Sequence, residues 1–129
     1  MTDAPLKWLE YATENLESAE LLLDHGLLKP CLQNSQQAVE KALKAIAISQ
    51  SLPLIRTHSI AELRSQIQGE GVEVQLGDDD VELLDSVYLP SRYPLGGALP
   101  DAEPDVDVCQ LCINIAQKIV STAESTLAG

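Results

Sequence analysis

The sequence predicts an all-α protein, an up-and-down bundle of four long helices plus one short helix. Three observations carry that expectation. Apolar residues recur at alternating intervals of three and four, which places them on one stripe of a helix. Glycine and proline punctuate the chain where that pattern stops. Aromatic residues make up 3% and Phe is absent, so the core is built from Leu, Ile, Val and Ala, a palette suited to close-packed helices.

The first helix is expected from Asp3 to His25, with Leu9, Ala12, Leu16, Ala19 and Leu23 on its apolar stripe. Asp3 offers a capping acceptor and Pro5 is tolerated in a first turn, while Gly26 can take the left-handed conformation that ends a helix. His25 beside it is a favourable cation at a helix C-terminus. The second helix is expected from Pro30 to Gln50. Leu32, Ser35, Val39, Ala42 and Ile46 form one seam, and Ala38, Leu43 and Ala45 widen it, so this helix is expected at the centre of the bundle. Pro53 lies in the loop from Ser51 to Thr57 that follows.

A shorter helix starts with Thr57 or Ser59 as cap and carries Ile60, Leu63 and Ile67. Between Gly69 and Gly77, Val72, Val74 and Leu76 alternate with polar residues as in a strand, but there is no second strand to pair with, and a sheet is rejected. Asp78, Asp79 and Asp80 open a fourth helix, complementing the positive end of its dipole, and Val81, Leu84 and Tyr88 form its stripe. Four prolines and two glycines from Leu89 to Pro104 predict a loop, long enough to suspect function. The last helix runs from about Asp105 to Leu127. Val108, Cys112, Ile115, Ile119 and Thr122 form its seam, with Leu111, Ala116, Val120 and Ala123 beside it.

At 129 residues the chain can bury about two-thirds of its unfolded surface, and one domain over 1–129 is expected. The net charge of −12, from 20 acidic against 8 basic residues, repels a bare phosphate backbone on average and argues against autonomous DNA binding. Local cations can still hold a single nucleotide, because charge interactions are screened beyond about 10 Å. Cys31, Cys109 and Cys112 include one C-x-x-C, but no second Cys or His pair stands at zinc spacing. They are expected as reduced core thiols, with no metal and no cofactor. The N-terminal residues lack the pattern of a signal peptide and no apolar run approaches the ~20 residues that span a bilayer, so a cytoplasmic protein without membrane contact is expected.

Two stretches combine polar groups with a reason to be ordered. Gln37, Lys41 and Lys44 share a face of the second helix, with Gln36 and Glu40 on the adjoining stripe and Glu40 placed four before Lys44 for an ion pair. The plain alternative is a solvated face with a weak salt bridge. The second stretch is Tyr88-Leu89-Pro90-Ser91-Arg92-Tyr93-Pro94. The Arg92 fork can hold phosphate or carboxylate, and Tyr88 or Tyr93 can stack on a base or cover the guanidinium. The alternative there is an Arg92–carboxylate pair with Tyr93 plugging the bundle end. His58 belongs either to the cap of the third helix or to a ligand site, and no Ser/His/Asp arrangement or phosphate loop is present.

In order, Trp8 with Ala12, Ala19-Glu20-Leu21-Leu22-Leu23, Gln36-Gln37-Ala38-Val39-Glu40-Lys41-Ala42-Leu43-Lys44-Ala45, Thr57-His58-Ser59-Ile60 and Tyr88 to Pro94 resemble the prokaryotic single-domain members of the HEPN family. The resemblance implies a helical bundle that pairs as a homodimer, often encoded beside a minimal nucleotidyltransferase in toxin–antitoxin pairs. Some relatives are metal-independent RNases that use an Arg and a His four to six residues later. Here Arg92 is followed by Tyr93, Gly97 and Ala98 stand where that His belongs, and Leu95 replaces an Asp common after Arg-Tyr-Pro. Cleavage through a ribose hydroxyl needs a group that exchanges a proton near neutral pH, which Arg cannot do. The sequence therefore favours a binding module for a nucleotide or a nucleotidyltransferase partner, with Arg92, Tyr93, Tyr88, His58, Lys41, Gln37 and Lys44 at its site. The alternatives are an RNase toxin using Arg92 with His58 and a structural dimer without ligand.

Overall fold

The computed structural model describes the backbone of residues 3–92 and 104–129, and the side chains of all of these except 88–92. Five helices make up the described chain: α1 (Ala4–Asp24), α2 (Leu28–Ser49), α3 (Ile60–Gly69), α4 (Asp78–Arg92) and α5 (Val106–Ala128). The architecture is the all-α bundle expected from the apolar periodicity. No strand forms among the described residues, and Val74 and Leu76 instead bury their side chains in the core between α3 and α4. Arg64 on α3 fastens this connection by donating to the Leu76 carbonyl at 2.9 Å and pairing with Asp78 at 2.8 Å.

Helix α2 lies at the centre, packed against each of the other four. Twelve of its 22 residues are buried, and Ala38, Ala42, Ala45 and Ala47 among them let neighbouring backbones approach closely. Helices α1 and α5 pack against each other and against α2, while α3 and α4 form a second pair against it. The main core joins Val39, Leu43 and Ile46 of α2 to Ile60, Leu63, Leu84, Ile115 and Ile119. Burying each such side chain contributes about 1.5–3 kcal/mol. A smaller cluster of Ala19, Cys31, Cys109 and Ile113 closes the end of the α1–α2 hairpin.

The turn of that hairpin holds Gly26 at φ +72°, as its position after His25 predicts. Asp3 does stand at the N-cap of α1, but its carboxylate makes no capping bond. The cap of α3 is Ser59, whose hydroxyl accepts from Glu62 N–H at 3.2 Å; His58 is outside the cap.

Two further expectations are corrected. Leu89 to Arg92, predicted to open a loop, are helical, because α4 continues through Pro90 to Arg92. A proline so close to a helix end removes a single backbone donor, and its fixed φ is itself helical. Leu111, expected beside the buried seam of α5, is 45% exposed, and Cys109 and Ile113 are buried in its place. The remainder of the expected loop, with Tyr93 in it, lies outside the described residues.

Candidate functional site

The polar stripe of α2 is not a solvated face. Gln36, Glu40 and Lys44, spaced four apart, are 1%, 4% and 7% exposed. A lysine ammonium is rarely so deeply buried without a partner, since losing its hydration is strongly unfavourable. Lys44 meets that requirement twice: its Nζ donates to Glu40 Oε2 at 2.9 Å and lies 5.2 Å from the centre of the Trp8 ring, whose face attracts cations.

The second oxygen of Glu40 faces Nδ1 of His58 at 3.1 Å. Gln36 completes the hold by donating through Nε2 to the His58 carbonyl at 3.2 Å. The backbone and one ring nitrogen of His58 are thus tied to the centre of the bundle, while its side chain remains 56% exposed. A carboxylate opposite Nδ1 fixes the orientation of the ring. The other nitrogen, Nε2, lies across the ring from Glu40.

Asp85, which the sequence reading did not single out, sets the position of this segment from the other side. Its carboxylate accepts from Ile60 N–H at 2.7 Å, from Ala61 N–H at 3.2 Å and from the Ser59 hydroxyl at 3.4 Å. It thereby clamps α4 to the first turn of α3, two residues beyond His58. A signal for this was present: Asp85 falls on the same stripe of α4 as Val81, Leu84 and Tyr88, where an acid has no reason to be unless a donor faces it.

A second strip runs alongside. On α1, Trp8, Tyr11 and Asn15 follow one another at intervals of three and four, one position before the apolar stripe. They face Asn34, Lys41 and Lys44 of the antiparallel α2. Lys41 donates to Asn15 Oδ1 at 2.9 Å with its Nζ 5.9 Å from the Tyr11 ring centre, and Asn15 donates to Asn34 Oδ1 at 2.9 Å. The Trp8 and Tyr11 rings meet edge to face at 6.3 Å.

The structure thus brings Lys41, Lys44, Gln37 and His58 onto or beside one connected polar surface. Lys44 lies inside it rather than at its edge. Arg92 ends α4 two turns beyond Asp85, but its side chain, those of Tyr88 and Tyr93, and the predicted meeting of Arg92 with His58 lie outside the described residues. The depression lined by Leu6, Leu9, Glu10, Thr13, Glu14 and Glu124 lies on the other side of α1, and its three carboxylates suit no phosphate.

All three cysteines are free and buried. Burial pushes the Cys31 thiol up, and burial together with the neighbouring Cys31 pushes Cys109 up to about 12. Cys112 is likewise pushed up to about 12, first by burial and then by Cys109. Such thiols are protonated at neutral pH and are poor nucleophiles. Among the described residues no group of three His, Cys, Asp or Glu is placed to hold a metal ion, and no helix is long and apolar enough to cross a membrane.

Fold and site together define a helical bundle organised around a buried polar cluster on its central helix. The HEPN domain model matches residues 6–126, and the chain belongs to the HEPN domain family. Two solved structures are similar over nearly the whole chain. One is ST0689, an archaeal HEPN homologue, 26% identical with a TM-score of 0.70, the match covering 98% of this chain and 99% of that one. The other is TT1696 from Thermus thermophilus, 28% identical with a TM-score of 0.75, covering 98% and 100%. No curated protein matches the sequence.

Proposed function

We propose that the whole chain, 1–129, works as one HEPN module that binds the phosphate of a nucleotide, taken up free or presented by a nucleotidyltransferase partner. The observation that carries this reading is the half-exposed His58 ring held by the buried Glu40 carboxylate. Arg92, at the end of the helix that Asp85 clamps beside the His58 segment, supplies a fork suited to phosphate, and an imidazolium at His58 would add positive charge beside it. The module acts as a cytoplasmic homodimer, a reading supported by free buried cysteines and by exposed Leu21, Leu27 and Val106. Toxin–antitoxin pairing belongs to the same reading.

The test is calorimetric titration with a nucleoside monophosphate, with inorganic phosphate as competitor. Binding that phosphate displaces and Arg92→Ala abolishes is expected. The absence of both heat and a thermal shift, with nucleotides and with the purified nucleotidyltransferase, would overturn it.

A second reading, a metal-independent RNase, is favoured by the same Glu40–His58 contact, because it orients an imidazole, the kind of group that proton exchange at a ribose hydroxyl needs. It requires RNA cleavage in the presence of a chelator that disappears in both His58→Ala and Arg92→Ala. A chain inert toward RNA at high protein concentration removes it.

A further inference from the structure

Neither core cluster contains Trp8 or Tyr11. Trp8 has a structural reason for its place, since its face covers the buried Lys44 ammonium. Tyr11 has a weaker one: it is 50% exposed, and the cation beside it, Lys41, already has Asn15 as a partner. A large, half-exposed aromatic ring fixed on a helix and edged by a second ring is a platform on which a flat molecule can stack.

The companions of that ring narrow what the flat molecule is. Lys41 is half-buried and spends one of its three donors on Asn15, so two remain. Gln37, one turn before Lys41 on the same stripe of α2, makes no hydrogen bond among the described residues and can both donate and accept. Glu40, the carboxylate bordering the strip, is neutralised by Lys44. In a chain of net charge −12, a strip whose unspent groups are a cation, an amide and an aromatic face suits an anionic heteroaromatic ligand better than an apolar partner surface.

We propose that the strip between α1 and α2 is the base platform of the nucleotide site: Tyr11, edged by Trp8, stacks on the nucleobase, Gln37 meets the base edge, and Lys41 neutralises a ligand phosphate. The inference rests on the nucleotide-binding reading and specifies its ligand as a base-bearing phosphate rather than any phosphate. The cluster connects the two ends. Trp8 touches Lys44, Lys44 touches Glu40 and Glu40 touches His58.

Trp8 is the single tryptophan of the chain, so its emission reports occupancy directly. Wild-type protein is titrated with AMP and with ribose 5-phosphate, by fluorescence and by calorimetry, beside Tyr11→Ala, Tyr11→Phe and Arg92→Ala. AMP is expected to quench Trp8. Tyr11→Ala should raise the AMP Kd at least about fivefold, the low end for losing one base-stacking ring. Tyr11→Phe should stay within about twofold, and ribose 5-phosphate should bind at least about fivefold more weakly than AMP.

AMP binding that depends on Arg92 but neither quenches Trp8 nor responds to Tyr11→Ala would overturn this inference and leave the phosphate reading standing. Quenching that needs Tyr11 but not Arg92 would sustain the platform and overturn the role of Arg92. Absence of any AMP binding, or Trp8 emission that changes only with protein concentration, would overturn the platform, the latter in favour of a second copy of the chain as its occupant.

Discussion

Replacing Glu40 by Gln keeps the shape of the side chain, removes its charge and turns one of its two acceptor oxygens into a donor amide, which makes it the sharpest probe of the buried cluster. Its carboxylate is 2.9 Å from Lys44 Nζ, with side-chain exposures of 8% for Lys44 and 5% for Glu40. At an effective dielectric of about 20, a charge pair at that distance is worth roughly 6 kcal/mol before desolvation is counted. Stranding one member of a buried pair costs about 3–5 kcal/mol, and the amide oxygen still accepts one bond from Lys44, so we expect a loss near 3 kcal/mol. For a chain of 129 residues, an unfolding entropy of about 2 cal/mol/K per residue converts this to a drop in Tm of roughly 11 °C. Differential scanning calorimetry reads it directly. The double substitution Glu40→Leu with Lys44→Met, which removes both charges and keeps the volume, should recover stability to within about 1 kcal/mol of the wild type. A Tm change below about 2 °C in Glu40→Gln would mean that Lys44 is not held by this charge, and the reasoning would fail.

Asp85→Ala strips the first turn of α3 of its charged acceptor and should cost about 1–2 kcal/mol, read as a shift in urea midpoint at unchanged m-value. Leu43→Ala, at the 0% exposed centre of α2, should cost about 2–5 kcal/mol in the same assay, depending on how far the core collapses onto the space. Because Cys109 and Cys112 are raised to about 12, the unfolded chain releases those protons first. Their contribution to stability is therefore complete below about pH 9 and lost as pH rises toward 12, so the Tm should fall more steeply across that window in the wild type than in a Cys109→Ala, Cys112→Ala variant. Equal slopes would show that the thiols are not the groups titrating.

Much of the fold was legible because a helix writes its buried side into the sequence. The stripe of Leu9, Ala12, Leu16, Ala19 and Leu23, the small and apolar circumference of α2, and the stop at Gly26 each state a local rule that the packing then obeys. The burial of Gln36, Glu40 and Lys44 was not legible in the same way. Spacing shows that they share a face, but what covers that face comes from Trp8 on α1 and from His58 beyond α2, contacts that span up to 36 positions in the chain. Charged side chains default to solvent, and only a partner distant in sequence reverses the default. Pro90 was misread for a related reason. Proline breaks helices in their middle, and its effect near an end depends on how many bonds remain to be made. Asp85 and the Trp8, Tyr11, Asn15 stripe were readable in principle, the first as an acid on an apolar stripe and the second as a 3–4 repeat running one residue out of phase with the core.

The central claim is that one connected surface, from Tyr11 and Trp8 through Lys41 to His58, receives a nucleotide. Amide and side-chain NMR spectra recorded while AMP is added to the isotopically labelled full chain test it most directly. The account predicts saturable shifts at the Trp8 indole N–H, the Gln37 side-chain amide and the His58 ring, fitting one Kd. Shifts confined to the far side of α5, or none at millimolar AMP, would contradict it.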